Sequence, residues 1–334
     1  MADTPLLSVR DLRVEFPTRR GTLVAVDGVS FDVAAGEVVG IVGESGAGKS
    51  LTGAAIIRLL EAPGRIAGGE VRLQGERIDN LSDDAMRRVR GRRIGMVFQD
   101  PLTSLNPLYT VGRQIIETVR AHADVTETDA RARALDLLQS VGIPGAGQRL
   151  DAYPHEFSGG MRQRVVIALA LAADPELVIA DEPTTALDVS VQAQVIAVLK
   201  KLCREKGTAV ILITHDMGVI AETADRVAVM YAGRIVEIGP VRDVIKAARH
   251  PYTKGLMGSI PTLEEGHDRL AQIPGSMPRL TDIPTGCAFN PRCERVMERC
   301  RATKPTLARV GANDVACFLY DGDVAGIGTR EAAR

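Results

Sequence analysis

Val38-Val39-Gly40-Ile41-Val42-Gly43-Glu44-Ser45-Gly46-Ala47-Gly48-Lys49-Ser50 is an apolar run that breaks into a glycine-rich loop closed by a lysine and a hydroxyl. A short continuous apolar run suits a strand buried on both faces, and the residues from Gly48 to about Leu60 continue as a helix. A loop of this kind points its backbone N–H groups inward at an anion. Lys49 adds a charge for the β- and γ-phosphates, and Ser50 offers a hydroxyl to Mg²⁺. The stretch reads as a P-loop, a nucleoside triphosphate site in an α/β fold.

Upstream, Leu12-Arg13-Val14-Glu15-Phe16 and Ser30-Phe31-Asp32-Val33 alternate apolar and polar residues as antiparallel strands do, with Gly21 and Gly28 as punctuation. Downstream, Val71 to Leu73 and Ile94 to Phe98 read as strands on either side of a basic helical stretch from Asp83 to Arg90. From about Asp100 to Arg164 the pattern turns helical, over Val111 to Ala121 and Thr126 to Val141, broken by Gly142, Pro144, Gly145 and Gly147. The core pattern then resumes as strand Leu177 to Ala180, helix Val191 to Lys206, strand Ala209 to Thr214, and the strand pair Val227 to Tyr231 and Ile235 to Ile238. The expected organisation is a core over 1–99 and 165–245, a helical subdomain over 100–164, and an appended unit over 246–334.

Composition sets the limits of this reading. With 334 residues, 45% hydrophobic and 25% charged, the chain can bury one substantial core and a smaller unit. Its 41 basic and 42 acidic side chains leave a formal charge of −1, so no nucleic-acid footprint or anionic-membrane clamp is expected. Apolar stretches such as Val165 to Ala173 stop at Asp174-Pro175, short of the roughly 20 residues of a membrane span. The start, Met1-Ala2-Asp3-Thr4-Pro5, lacks the pattern of a signal peptide. A cytosolic chain with reduced thiols is expected, so its five cysteines read as free or metal-bound. Aromatics make up only 3%, and an aliphatic core suits parallel strands.

Leu177-Val178-Ile179-Ala180-Asp181-Glu182 is an apolar strand ending in two carboxylates. Asp181 is placed to hold the Mg²⁺ shell, and Glu182 to accept a proton from, or orient, the water that attacks the γ-phosphate. Phe157-Ser158-Gly159-Gly160-Met161-Arg162-Gln163-Arg164 opens the next helical run, with Ser158 as N-cap and two glycines that let N–H groups approach an anion. Ser158-Gly159-Gly160 ahead of Gln163-Arg164, followed by Asp181-Glu182, resembles the signature of ATP-binding cassette (ABC) ATPases.

That resemblance covers essentially the whole chain and implies a RecA-like parallel core with an antiparallel β subdomain and a helical insertion. It implies that the P-loop residues Gly43 to Ser50 bind ATP, and that Ser50, Gln99 and Asp181 serve Mg²⁺. Gln99 matches the Q-loop, Ala186-Leu187-Asp188 the D-loop, and His215 the switch histidine, with Glu182 and His215 in catalytic roles. Phe16 resembles the aromatic that stacks on adenine, with a core role as the alternative. The signature departs from the usual pattern by having Phe157 for Leu and Met161 for Gln. In this family the signature serves the P-loop of a second cassette, so the chain is expected to pair head to tail with an identical or related ATPase subunit. Two transmembrane permease subunits and an extracytoplasmic substrate-binding protein complete the implied assembly, with this chain peripheral on the cytoplasmic face of the cell (inner) membrane. A soluble ABC ATPase acting on DNA or ribosomes is the competing class, opposed by the single cassette and the balanced charge.

Residues from His250 onward carry seven of the seventeen prolines and four of the five cysteines, with no sustained period. An irregular unit that needs a staple is expected. Cys287, Cys293, Cys300 and Cys317 form C-x5-C-x6-C-x16-C, a thiolate set that suits a tetrahedral Zn²⁺ or an iron–sulfur cluster. The absence of closely spaced C-x2-4-C pairs leans toward the cluster, and four unliganded thiols remain the alternative. Cys203 reads as a lone thiol. His250-Pro251-Tyr252-Thr253 with Leu256, Pro274-Gly275, Gly286-Cys287 and Asn290-Pro291-Arg292-Cys293 resemble the C-terminal extension of the dipeptide/oligopeptide importer ATPases. That resemblance implies a four-iron, four-sulfur cluster in some members, and peptide import, or import of nickel, glutathione or sugars, as the work of the assembly.

Overall fold

Alternation sorts the residues of the central strand into two cores. In the computed structural model, which describes residues 4–184, 187–258 and 272–321, the strand Val38–Val42 (β3) is buried throughout. Val38 and Val42 face one apolar core while Val39 and Ile41 face the other, as a two-residue side-chain period requires. Leu177–Asp181 (β7) and Ala209–Ile213 (β8) are buried in the same way and divide likewise between the two cores. Each fully buried Val, Leu or Ile contributes about 1.5–3 kcal/mol, so the sheet is held from both faces.

β3 pairs in parallel with β8 and with Arg226–Tyr231 (β9). β8 pairs in parallel with β7, and β7 with Ile94–Val97 (β6). Arg234–Pro240 (β10) then turns back antiparallel on β9. A second, antiparallel sheet lies on one side of this layer, formed by Leu7–Thr18 (β1), Gly21–Val33 (β2), Arg65–Leu73 (β4) and Glu76–Arg77 (β5) in the order β2-β1-β4-β5. Its buried residues, among them Val9, Val14, Val29 and Phe31, form the second core together with Val39, Ile41 and Ile179.

Lys49–Ile56 (α1) follows the glycine loop, and Asp83–Val89 (α2) is capped by Ser82. The helical segment contains Pro101–Ser104 (α3), Val111–His122 (α4), Glu127–Ser140 (α5), Ala146–Arg149 (α6) and Gly159–Ala170 (α7). Thr110 and Thr126 cap α4 and α5 by accepting N–H groups three residues on. Val111, Ile115 and Val119 of α4 meet Ala130, Ala134 and Leu138 of α5 in the first core, the i, i+4 spacing of one helix face. Val189–Lys206 (α8), Met217–Thr223 (α9) and Val241–Lys246 (α10) complete the cassette. Among the described residues no helix is long and apolar enough to cross a membrane.

The segment after His250 departs from the irregular unit expected of it. It forms the helices Pro251–Gly258 (α11) and Glu298–Ala302 (α12), and a hairpin of Ala308–Val310 (β11) and Asn313–Val315 (β12). β12 pairs antiparallel with β10, so the main sheet runs β11-β12-β10-β9-β3-β8-β7-β6. Three-residue strands are too short to show a period, and a sheet edge supplied by the cassette fixes them instead. At the junction, Glu237 of β10 is wholly buried and accepts hydrogen bonds from the Arg249 and His250 N–H groups and from Asn313 Nδ2. Beside it Tyr231, Tyr252 and Phe289 pack ring against ring at 4.7–5.5 Å. Residues 259–271 and 322–334 of the proposed extension lie outside the described residues.

Candidate functional site

The glycine loop turns where side chains are excluded. Gly43 has φ of 152°, and a Cβ there would lie 2.3 Å from the Met230 carbonyl oxygen. Gly48, at φ 98°, begins α1 with no side-chain cap, so the first N–H groups of the helix are left for an anion. Lys49 is buried and donates to the carbonyls of Gly43 at 2.9 Å and Glu44 at 3.1 Å. Burial lowers its pKa from the ordinary lysine value, opposed by the carboxylates of Glu182, Asp181 and Glu44.

The order β3-β8-β7-β6 brings four strand ends side by side and carries the remaining groups to the loop. Ser50 Oγ donates to Asp181 Oδ1 at 2.8 Å. Asp181 is buried, and burial pushes its pKa up against the Ser50 hydrogen bond. Glu182 follows at φ 46°, a backbone that costs a residue with a Cβ about 1 kcal/mol or more. Its N–H donates to the Ile213 carbonyl at 2.8 Å, which holds the turn. Its carboxylate accepts from Gln99 Nε2 at 3.0 Å and lies 3.4 Å from His215 Nδ1. Gln99 and His215 therefore flank Glu182, one at each carboxylate oxygen.

A cleft of about 550 Å³ opens over these groups, lined by Ala25, the loop from Ser45 through Leu51, Gln99, Glu182 and the segment Met277 to Leu280. Its size suits a nucleotide. Met277 to Leu280 carry no motif and come from the proline-rich region, so nothing in the local sequence marks them. Arg292 and Tyr252, which bond Glu44, are also functional candidates that local patterns do not reveal.

Other candidates lie apart from the cleft lining. Phe16 packs over Gly64, so close that a Cβ on that glycine would meet its ring at 2.8 Å. Ser158 caps α7 by accepting from the Met161 N–H at 3.4 Å, and Ser158 and Gly159 are exposed. Gly160 lies against Val191 of α8, where a Cβ would approach to 2.4 Å. Phe157 is buried and Met161 packs partly against the first core, so both departures from the usual signature serve packing here. Asp188 caps α8 through the Val191 N–H at 2.9 Å. Ala186 of the D-loop lies outside the described residues.

Cys287, Cys293, Cys300 and Cys317 all line one cavity of about 20 Å³, together with His250, Phe289 and Asn290. The Cys287 N–H donates to the Cys300 carbonyl at 2.8 Å, tying the first and third cysteines through the backbone. Burial raises the thiol pKa of Cys287 and Cys293, and pushes Cys317 up to about 11. His250, fully buried, is pushed down to about 3 and stays neutral. Among the described residues no group of three or more His, Cys, Asp or Glu side chains is arranged to hold a metal ion, so the thiols converge without forming a ligand set. Cys203 is buried apart from them, its pKa pushed up to about 12.

Comparison with known proteins agrees with this layout. Residues 26–185 match the ABC transporter family, and residues 236–300 match the oligopeptide/dipeptide transporter C-terminal region. The dipeptide transport ATP-binding protein DppD of Escherichia coli (strain K12) is 48% identical over 302 residues, covering 90% of this chain and 92% of that protein. The DppD of Haemophilus influenzae is 47% identical over 312 residues, 93% of this chain and 94% of its own. The oligopeptide transport ATP-binding protein AppD of Bacillus subtilis (strain 168) is 45% identical over 318 residues, 95% of this chain and 97% of its own. Among solved structures, the dimeric ATP-binding cassette MJ0796 in a post-hydrolysis state with ADP and Pi superposes with a TM-score of 0.64 at 29% identity. It covers 71% of this chain and 99% of that one.

Proposed function

The chain belongs to the ABC transporter ATPases that carry the oligopeptide/dipeptide C-terminal region, and from that premise we propose that it is the ATP-hydrolysing subunit of an importer for dipeptides or oligopeptides. The observation that carries the reading is one cleft lined by Lys49, Ser50, Gln99 and Glu182, with Asp181 bonded to Ser50 and His215 set against Glu182 beside it. The lysine and the uncapped N–H groups of α1 bind phosphates. Ser50, Gln99 and Asp181 are oxygen donors of the kind Mg²⁺ takes. Glu182 orients or deprotonates the attacking water, held in place by Gln99 and His215.

The signature lies on the chain's surface away from this cleft's lining, which supports a site completed by a second cassette. Ser158 and the N–H groups of Gly159 and Gly160 would then close over the partner's nucleotide, and closure would drive two permease subunits fed by an extracytoplasmic binding protein. A position on the cytoplasmic face of the inner membrane accords with that assembly. The exposed segment from Asn106 to Tyr109, with Leu108 79% exposed, is a surface on which a permease can dock.

Membrane vesicles holding this chain with its permeases and binding protein test the reading. ATP-driven accumulation of a labelled dipeptide is expected, and Lys49→Ala should abolish it. Accumulation of nickel, glutathione or a sugar in place of peptide would reassign the cargo within the same family.

The four thiols around one cavity are soft donors of the kind an iron–sulfur cluster or zinc takes, and Cys287, Cys293, Cys300 and Cys317 would have to draw together from their present positions to serve as its ligands. Either group would staple the extension, and a cluster would also make it sensitive to redox state. Binding requires the raised thiols to lose their protons, and a bound metal supplies the charge that permits it. Protein purified without oxygen should contain iron and absorb near about 400 nm if the site takes a cluster. Zinc alone on elemental analysis selects the other ligand.

A further inference from the structure

One side chain joins the cysteine-bearing segment to the phosphate loop. Arg292 ends the short turn Asn290–Arg292 and immediately precedes Cys293. Its side chain is 6% exposed. One terminal nitrogen reaches both oxygens of Glu44, at 3.0 and 3.1 Å, and the Tyr231 hydroxyl at 3.4 Å. Nε donates to the Pro274 carbonyl at 2.8 Å, and the other terminal nitrogen to the Ile273 carbonyl at 3.3 Å. Glu44 is the second residue of the glycine loop. Its N–H donates to the Tyr252 hydroxyl at 2.9 Å, and its carbonyl accepts from Lys49. Ile273 and Pro274 lead directly into Met277 to Leu280, which line the nucleotide cleft.

We infer that Arg292 is a positioning residue of the nucleotide site: from within the cysteine segment it holds Glu44 and the strap from Ile273 to Leu280 in place around the pocket. Two physical effects follow from the geometry. The guanidinium offsets the negative charge of Glu44 beside a loop that must receive a triphosphate, and without it the two anions repel. Its planar fork also fixes two elements at once, so the loop and the strap keep one relative position. The extension thereby becomes part of the wall of the ATP site in its own subunit.

The inference rests on the cleft being the ATP site, which titration of the full-length wild-type chain with a fluorescent ATP analogue checks first: no saturable binding would overturn that reading itself. Arg292→Gln should weaken binding about tenfold, equivalent to about 1.4 kcal/mol. The double variant Arg292→Gln/Glu44→Gln should recover to within about threefold of wild type, because the uncompensated charge is gone. Loss of a merely structural contact would not be relieved by a second change at Glu44. Arg309→Gln, which breaks an exposed ion pair of the extension at 3.5 Å, should bind as wild type. Unchanged affinity in Arg292→Gln, or a double variant as weak as the single one, overturns the inference. If Arg292→Gln does not fold, Arg292→Lys decides the matter. An ammonium has three donors on one atom but no planar fork to hold Glu44 and the Pro274 carbonyl in this fixed geometry, so binding should fall about threefold, and wild-type affinity overturns the inference.

Discussion

Asp181 at the end of β7 and Glu237 in β10 are both buried carboxylates, and the regions around them treat the same problem in opposite ways. Glu237 is surrounded by donors: two backbone N–H groups and the Asn313 amide meet it at 2.8–3.1 Å. Among the described residues Asp181 receives one hydroxyl, from Ser50, and its burial pushes its pKa up. A buried charge costs several kcal/mol unless it is paired or hydrogen-bonded, so the satisfied acid supports the fold and the under-satisfied one is kept for a ligand. The cassette fastens the extension through the Glu237 carboxylate, whereas the Asp181 carboxylate is the one proposed for Mg²⁺.

The largest effect that can break this contrast lies beside Asp181. Glu182→Gln keeps the side chain's size and its contact with Gln99 but removes the base, so steady-state phosphate release should fall by about 10²–10⁴-fold while ATP still binds. The thermal midpoint should stay near that of wild type, since the variant keeps the backbone bond to Ile213 and an oxygen that accepts from Gln99. Turnover within tenfold of wild type would remove Glu182 from the role of base and leave the cluster without one.

The reverse change belongs to the junction with the extension. Glu237→Leu orphans the N–H groups of Arg249 and His250 and the amide of Asn313, at about 1–3 kcal/mol for each buried donor left unpaired. A loss of about 3 kcal/mol or more is expected in urea unfolding of the full chain, with early proteolysis in the segment after Arg249. A loss below about 1 kcal/mol would show that water reaches the junction, and that the extension is held by its other contacts, the β12–β10 pairing, the Arg292–Glu44 pair and the aromatic packing on Tyr231.

The two regions also differ in how far their sequence discloses them. β3 and its glycine loop are readable because five consecutive apolar residues followed by glycines at fixed offsets have one sterically sensible arrangement. The starts of α4 and α5 are readable because Thr110 and Thr126 stand before periodic apolar runs. The extension hides its order, since β11 and β12 exist through pairing with β10, and Arg292 meets Glu44 across 248 positions of sequence. The strap Met277 to Leu280 lines the cleft by virtue of where Ile273 and Pro274 are anchored. Local patterns carry no information about such meetings. The cysteines fall between the two cases, because their spacing shows that they belong together but not how closely they approach.

The smallest effect is the sharpest test of the contrast, because its sign is opposite for the two acids. Asp181 has a folded pKa raised above its unfolded value by burial. Such a group favours folding only where it is protonated, and that contribution is lost as pH rises through the raised pKa. Above its raised pKa the ionised Asp181 therefore strains the nucleotide-free fold. Asp181→Asn should raise the thermal midpoint of the nucleotide-free chain at pH 7, by a margin that shrinks as pH falls below the raised pKa. The same variant should lose Mg²⁺-dependent hydrolysis, so stability and activity move apart. Glu237→Asn under the same conditions should lower the midpoint, since it shortens the side chain away from three donors that need it. If Asp181→Asn destabilises the chain as Glu237→Asn does, then Asp181 is held as a structural acid, and the Ser50 hydroxyl alone satisfies it.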